Sequence, residues 1–293
     1  MTDIYVHFKD DFILDQDPSL YEYWHLTNHY FYRKPGPNGE TYDYSSIDPA
    51  VFNKNYLSHE RRWWRDGNHP HLYRDVILDL EMNHIWKTED PEWDRWTQEY
   101  INIARMMKAA GKPVAIYGVY LQAMEYQIWL NLGRFTWYTT PKLNPKYRYA
   151  SKATVQYWHN KLEEYKQKER ELLRKLNILS DRFSPEIDAV VPEFYMGYDI
   201  PNTNYNRHWK WFAWEFLVRS KLEAYSTAFQ DKPIYAFVQP NFTVSWNPAP
   251  LSVWNKTVNF LLNEKVKRLY VFNSRNQPKI KGWESVLLNR KTV

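Results

Sequence analysis

Short runs of strand-forming residues recur along this chain with helical patterns between most of them. That alternation restricts the fold more than any other feature. The runs lie at residues 4–8, 29–32, 76–82, 113–120, 188–196, 233–240 and 269–273. Between them, Asp48-Pro49 opens a helix reaching about Trp64, with Asp as N-cap and Pro at the first helical position. Asp90-Pro91-Glu92 opens another in the same way, and its apolar residues Trp93, Trp96, Tyr100, Ile103 and Met107 keep a helical period until Gly111. Residues 151–179 read as a long helix whose dense mixed charge forms a solvated face. Residues 208–229 and 251–265 read as two more helices, and 283–288 as a short last element. The segment 121–138 is aromatic throughout and is assigned to neither class. Strands alternating with helices predict a parallel sheet. Seven or eight strands in 293 residues predict an α/β fold: one (β/α)8 TIM-like barrel, regular or distorted, spanning residues 1–293 as a single domain. The chain has only eight glycines, and no glycine-rich nucleotide loop follows a strand, so an open doubly wound sheet fits less well.

Aromatic residues make up 18% of the chain, with 15 Trp and 24 Tyr, more than a core needs. Flat aromatic faces suit sugar rings and nucleobases alike. The net charge of +5 favours acidic partners only weakly, and the pair Arg61-Arg62 reads as ordinary surface, so nucleic acid is disfavoured as a partner. The absence of cysteine excludes disulfides and thiolate-held metals. The N-terminus enters a strand pattern directly, without a basic and then apolar leader, and no apolar run approaches the length of a membrane span. The expectation is a protein without membrane contact, cytoplasmic in the producing cell or released without a classical signal.

The run Val76-Ile77-Leu78-Asp79-Leu80-Glu81 carries the chemistry. Side chains two apart on a strand share a face, so Asp79 and Glu81 are expected to project together at the strand's C-terminal end. In a parallel barrel that end is where active sites lie. The other polar and aromatic residues at those ends are Lys9, Asp10, Tyr117, Tyr120, Gln122, Glu193, Tyr195, Gln239, Asn241, Asn273 and Arg275. Glycosidic cleavage needs a proton donor for the leaving oxygen and a base or nucleophile at the anomeric carbon. Glu81, furthest out on its strand, is the candidate acid. Cα atoms two apart on a strand are about 6.6 Å from each other. Both carboxylates therefore meet a sugar from the same side, whereas an ordinary acid and nucleophile flank the bond. A substrate-assisted route suits this spacing: Glu81 protonates the leaving group, and Asp79 orients a 2-acetamido group that attacks the anomeric carbon. No cofactor or metal is required. Asp79 and Glu81 could instead hold a divalent cation, or Asp79 could pair with Arg74. His59, His69, His71 and His159 show no metal-ligand spacing among themselves. Trp209, Trp211 and Trp214 fall at helical spacing and read as packing residues, while Trp129 and Trp246 read as loop residues suited to stacking on sugars.

These residues resemble a known family. Asp79-Leu80-Glu81, then residues 112–120, then Val191-Pro192-Glu193-Phe194-Tyr195 resemble the order of motifs in hyaluronidase-type glycoside hydrolases. The resemblance implies Glu81 as proton donor, Asp79 as the carboxylate that positions the acetamido group, and Tyr117, Tyr120 and Tyr195 as pocket tyrosines. Phe272 stands where that family carries a tryptophan. With Gln239, Trp246 and Asn273, these form the expected substrate-binding set, and a polysaccharide or other glycan is the expected partner. Residues 76–81 with Gly111-Lys112-Pro113 and Ile116-Tyr117 are also similar to family-25 lysozymes, muramidases acting on peptidoglycan, whose barrels lose their later helices. Chitinase-type enzymes carry further acids two and five residues before the Asp, where this chain has Ile77 and Arg74. The rival from another class is a non-catalytic glycan-binding or structural barrel.

Overall fold

The computed structural model describes residues 3–6, 20–26, 75–78, 87–117, 122–200, 208–242, 245–264, 266–272 and 281–288. Its strands are β1 (Asp3–Val6), β2 (Leu20–Leu26), β3 (Asp75–Leu78), β4 (Ala115–Tyr117), β5 (Ala189–Val191), β6 (Tyr235–Val238) and β7 (Arg268–Val271). Its helices are α1 (Trp93–Ala109), α2 (Gln122–Thr139), α3 (Lys152–Phe183), α4 (Trp209–Ala228), α5 (Leu251–Asn263) and the short α6 (Ser285–Leu288). The seven strands hydrogen-bond in the order β5-β4-β3-β2-β1-β7-β6, every neighbouring pair parallel.

The two ends of that order meet. Parallel bridges join Val190 to Ile234, Glu193 to Phe237 and Met196 to Phe242. Backbone hydrogen bonds run from Val190 N to Pro233 O (3.1 Å), from Phe194 N to Phe237 O (2.7 Å) and from Phe237 N to Pro192 O (3.0 Å). This joint is a series of single bridges, whereas the other six are ladders. Proline explains part of that: Pro192 and Pro233 bring carbonyls to the joint but no N–H. The mixed α/β class and the parallel sheet follow the sequence expectation. Among the described residues there are seven strands rather than eight, and single bridges rather than a continuous ladder join the two ends of the sheet. The expected strand at 29–32 and the helix at 48–64 lie outside the described residues. β2 was not foreseen; its sequence LYEYWHL is aromatic but lacks a clean alternation.

Strand alternation divides the core into two. On the helix-facing side Ile4, Leu78, Val114, Ile116, Val190, Phe194, Ala236, Val238, Leu269 and Val271 join one large apolar cluster. On the other side Ile77, Ala115, Tyr117, Ala189, Val191, Phe237 and Tyr270 pack together, with Tyr195, Tyr235 and Phe272 against them. A sheet apolar on both faces is what a parallel arrangement with helices outside requires. The short strand cores therefore read as continuous apolar runs.

The segment 121–138 resisted assignment for a related reason. It forms α2, and Ile128, Trp129, Leu130, Leu132, Phe135 and Trp137 are all buried, so more than one side of the helix is covered. A helix apolar most of the way round carries no amphipathic period. Gly133 lets α2 approach α4. A Cβ there would stand 2.7 Å from Ala213 Cα, 2.9 Å from Phe216 Cβ and 3.0 Å from Ala213 O. Alanine would add about 1 kcal/mol of helix propensity, but overpacking against backbone costs about 1–3 kcal/mol. Gly133→Ala is therefore expected to lower the denaturation midpoint. An unchanged or raised midpoint in chemical denaturation would show that α4 yields freely.

The long helix α3 starts at Ser151, whose hydroxyl accepts from Thr154 N at 3.1 Å. Its buried residues, Leu172, Leu176, Leu179, Ser180 and Phe183, all lie in its C-terminal half. The N-terminal half carries ion pairs such as Lys161–Glu164 (2.6 Å) and Lys166–Glu163 (2.8 Å). Such exposed pairs each contribute only about 0.3–0.5 kcal/mol.

Candidate functional site

The inner face of the sheet changes character toward the strands' C-terminal ends. Lower down it is filled by Ile77, Ala115, Ala189, Tyr235 and Tyr270. Further along come Tyr117 at the end of β4, then Glu193 and Tyr195 beyond β5, Phe237 and Gln239 at the end of β6, and Phe272 just past β7. Each is two residues, or a multiple of two, from an inward-facing neighbour on its own strand. Val191, Glu193 and Tyr195 show this most simply, as alternate residues of one extended segment whose intervening Phe194 and Met196 join the outer cluster.

The side chains converge. The Tyr117 hydroxyl donates to Glu193 Oε2 at 2.9 Å and lies 3.3 Å from the Tyr195 hydroxyl. Phe237 touches three members of the group: its ring centroid is 4.6 Å from Tyr117, 5.9 Å from Tyr195 and 5.9 Å from Phe272. Glu193 retains 7% exposure. A carboxylate this deep needs hydrogen-bonding partners, and the Tyr117 phenol is one. The result is a buried acid and two phenols beside an aromatic wall, at the end of a parallel sheet. Such a group can bind hydroxyls and amides of a polar ring while the wall covers an apolar face.

The backbone beneath this group is held from outside. Lys221 and Trp214, on the inner side of α4, donate to consecutive carbonyls: Lys221 Nζ to Glu193 O at 2.9 Å and Trp214 Nε1 to Phe194 O at 3.1 Å. Lys221 is 1% exposed, and its ammonium lies 5.8 Å from the Phe194 ring centroid. A little beyond, burial raises the Tyr198 hydroxyl above the ordinary tyrosine range, partly countered by Arg134.

Of the residues expected in the site, Tyr117, Tyr195 and Phe272 belong to this group. Gln239 is buried two residues beyond Phe237, at 2% exposure. Trp246 lies on the loop after β6 and is solvent-exposed. Asp79, Glu81, Tyr120 and Asn273 lie outside the described residues. Trp129 is corrected: it is a buried residue of α2, its indole N–H donating to Glu169 at 2.7 Å, and cannot stack on a ligand. Trp211 and Trp214 are core residues, as their spacing implied. Sequence reasoning left Glu193 out of the binding set. The signal was present, because Glu193 lies two residues before the chosen Tyr195 and shares its strand parity. Among the described residues no three His, Asp or Glu side chains converge as metal ligands, and no described helix is long and apolar enough to cross a membrane.

No protein-family model matches the sequence, and no curated protein matches it. Among solved structures the chain is similar to bee venom hyaluronidase in complex with a hyaluronic acid tetramer, at a TM-score of 0.49 and 9% identity, over 99% of this chain and 95% of that one. A monoclinic crystal structure of bee venom hyaluronidase gives a TM-score of 0.47 and 8% identity, over 99% and 96% of the two chains. The GH26 domain of a Prevotella bryantii endo-beta-mannanase/endo-beta-glucanase gives a TM-score of 0.34 and 12% identity, over 91% and 80%.

Proposed function

We propose that this chain is a single-domain, distorted barrel that hydrolyses glycosidic bonds in glycans containing N-acetylhexosamine. The observation that carries the reading is the hydrogen-bonded group Tyr117, Glu193 and Tyr195 beside Phe237 and Phe272, at the C-terminal end of a parallel sheet. Ile77 belongs to the inner cluster and Leu78 to the outer one. By the alternation expected if the strand continued, Asp79 and Glu81, which lie outside the described residues, are proposed to stand on the side of Ile77. The reading therefore gathers three acids and two tyrosines at one mouth.

In this mechanism Glu81 gives its proton to the glycosidic oxygen as the bond to the anomeric carbon breaks. The carbonyl oxygen of the substrate's own 2-acetamido group forms the new bond to that carbon, closing a cyclic oxazolinium. Asp79 orients the amide and offsets its developing positive charge. Glu81, now a carboxylate, takes a proton from water, and the water oxygen opens the ring with net retention. Glu193 and the tyrosine hydroxyls bind the sugar's polar groups, with Gln239 and Asn273 assigned to the same cleft and Trp246 to its outer rim. The muramidase reading ranks second because the later helices α4 and α5 are both present.

The test is direct. The protein is incubated with chitooligosaccharides, hyaluronan and chondroitin oligomers, and peptidoglycan glycan strands. New reducing ends are quantified, and the first-formed anomer is read by proton NMR. The expected result is cleavage of at least one N-acetylhexosamine polymer with retention. No cleavage of any of them sinks the enzymatic reading and leaves the non-catalytic glycan-binding barrel; inversion sinks the substrate-assisted route alone.

A further inference from the structure

The loop after β6 holds a large aromatic side chain in an unfavourable position. Trp246 is 46% exposed, and its φ of 58° is in the left-handed region that bulky L residues rarely adopt. It is the only non-glycine residue with positive φ among the described residues. A tryptophan left in water on a left-handed backbone needs restraint, and the hydrogen bonds supply it. Trp246 N donates to Phe242 O at 2.8 Å, and Phe242 N donates to Asn247 O at 3.0 Å. Buried Asn241 donates its amide to Trp246 O at 3.2 Å and bridges Pro248 in antiparallel fashion.

The residues on either side of Trp246 are clamped by a single carboxylate from another loop. Asp199 accepts from the Ser245 hydroxyl and from Asn247 Nδ2, the latter at 3.1 Å. Ser245 Oγ in turn accepts from Asn247 N at 3.2 Å. Asp199 lies four residues past Tyr195, and its carbonyl accepts from Lys210 Nζ at 2.8 Å at the start of α4. The clamp thus ties the segment after β5 to the loop after β6. Both leave the C-terminal end of the sheet, where Tyr195 and Phe237 belong to the candidate site.

We infer that Trp246 is the stacking platform of an outer sugar subsite at the rim of the cleft, and that Asp199 is its positioning residue. The ligand is the apolar face of a pyranose ring several units from the scissile bond, in an oligosaccharide of N-acetylhexosamines. The indole face supplies the apolar surface. Asp199 acts through the loop and need not touch sugar. This inference rests on the glycan reading above and adds to it a dependence on chain length.

The experiment measures affinity by isothermal titration calorimetry, with thio-linked chitohexaose and thio-linked chitobiose as probes that resist hydrolysis. Trp246→Ala and Asp199→Ala are each expected to raise Kd for the hexasaccharide about tenfold and to leave Kd for the disaccharide unchanged. The double variant should be no weaker than Trp246→Ala, because the two residues act as one unit. Trp246→Phe should recover part of the loss. Asp199→Asn, which keeps one acceptor oxygen, should fall between wild type and Asp199→Ala and serves if the alanine variant does not fold. Wild-type hexasaccharide affinity in either alanine variant overturns the inference and leaves the cleft reading intact. So does an equal loss on both probes, or simple additivity in the double variant. A wild type that binds neither probe overturns the inference and the glycan reading together. A wild type that binds the hexasaccharide as expected but never cleaves its oxygen-linked counterpart upholds the subsite and sinks the enzymatic reading alone.

Discussion

Glu81→Gln is expected to cut turnover of an N-acetylhexosamine polymer by about 10²–10⁴-fold, the range for loss of a positioned general acid. The amide has the shape of the acid but no proton to give the leaving oxygen. The fold should be unaffected, and affinity for a thio-linked oligosaccharide should stay within a few-fold of wild type, because the lost interaction belongs to the transition state. Asp79→Asn should behave differently. Its carbonyl can still accept from the acetamido N–H, but it no longer offsets the positive charge of the oxazolinium, so kcat falls with little change in KM. The informative contrast is the response to leaving group. With an activated aryl glycoside, which departs without protonation, Glu81→Gln should recover much of its rate and Asp79→Asn should not. A Glu81→Gln variant that turns over at the wild-type rate on the natural polymer would remove Glu81 from the chemistry. Attention would then move to Glu193, the acid already held at 2.9 Å from a tyrosine hydroxyl.

What could be read in advance follows from how many environments each segment meets. α1, α3, α4 and α5 were legible from their periodic or mixed-charge patterns, but the expected cap of α1 is displaced: the helix begins at Trp93 after an uncapped Glu92, and Asp90 accepts from Glu92 N at 2.9 Å in the turn before it. α2 was not, since several of its sides are buried and no polar stripe marks an outside. The strands from β3 to β7 were found through their apolar runs, and β5 and β6 are shorter than theirs. Residues 188–196 form a three-residue strand followed by single bridges, because Pro192 interrupts the ladder. The site was half legible. Strand ends named Tyr117, Tyr195 and Phe272. Glu193 stands among the strand-end residues but outside the expected binding set, although parity puts it on the face shared by Val191 and Tyr195. Lys221 could not be found at all. It reads as one of many lysines on a helix, and only tertiary packing reveals that it is buried and aimed at a particular carbonyl.

Lys221→Ala is therefore expected to be the most destabilising single change among the residues around the site, costing about 3–5 kcal/mol. Two losses add. The Glu193 carbonyl loses a charged donor at 2.9 Å, worth about 1.5–3 kcal/mol for a hydrogen bond to a charged group. The truncated stem also leaves a cavity at a position 1% exposed, and long buried side chains cut to alanine typically lose about 2–5 kcal/mol. Relief from burying an ammonium offsets part of this. Lys221→Met separates the components by keeping the volume and removing the donor; about 1–3 kcal/mol should remain. The consequence for function follows from the strand. Beyond Val191 the β5 segment has no continuous ladder, and its shape depends on the bridge from Glu193 to Phe237 and on the two donors from α4. Loosening Glu193 O frees the residue whose carboxylate meets Tyr117. Lys221→Met should thus reduce oligosaccharide affinity as well as stability. Urea denaturation paired with calorimetric titration makes the comparison. A Lys221→Met protein within 0.5 kcal/mol of wild type, by about the margin of an ordinary surface substitution, would mean that another donor satisfies the carbonyl and that α4 does not set the geometry of the site.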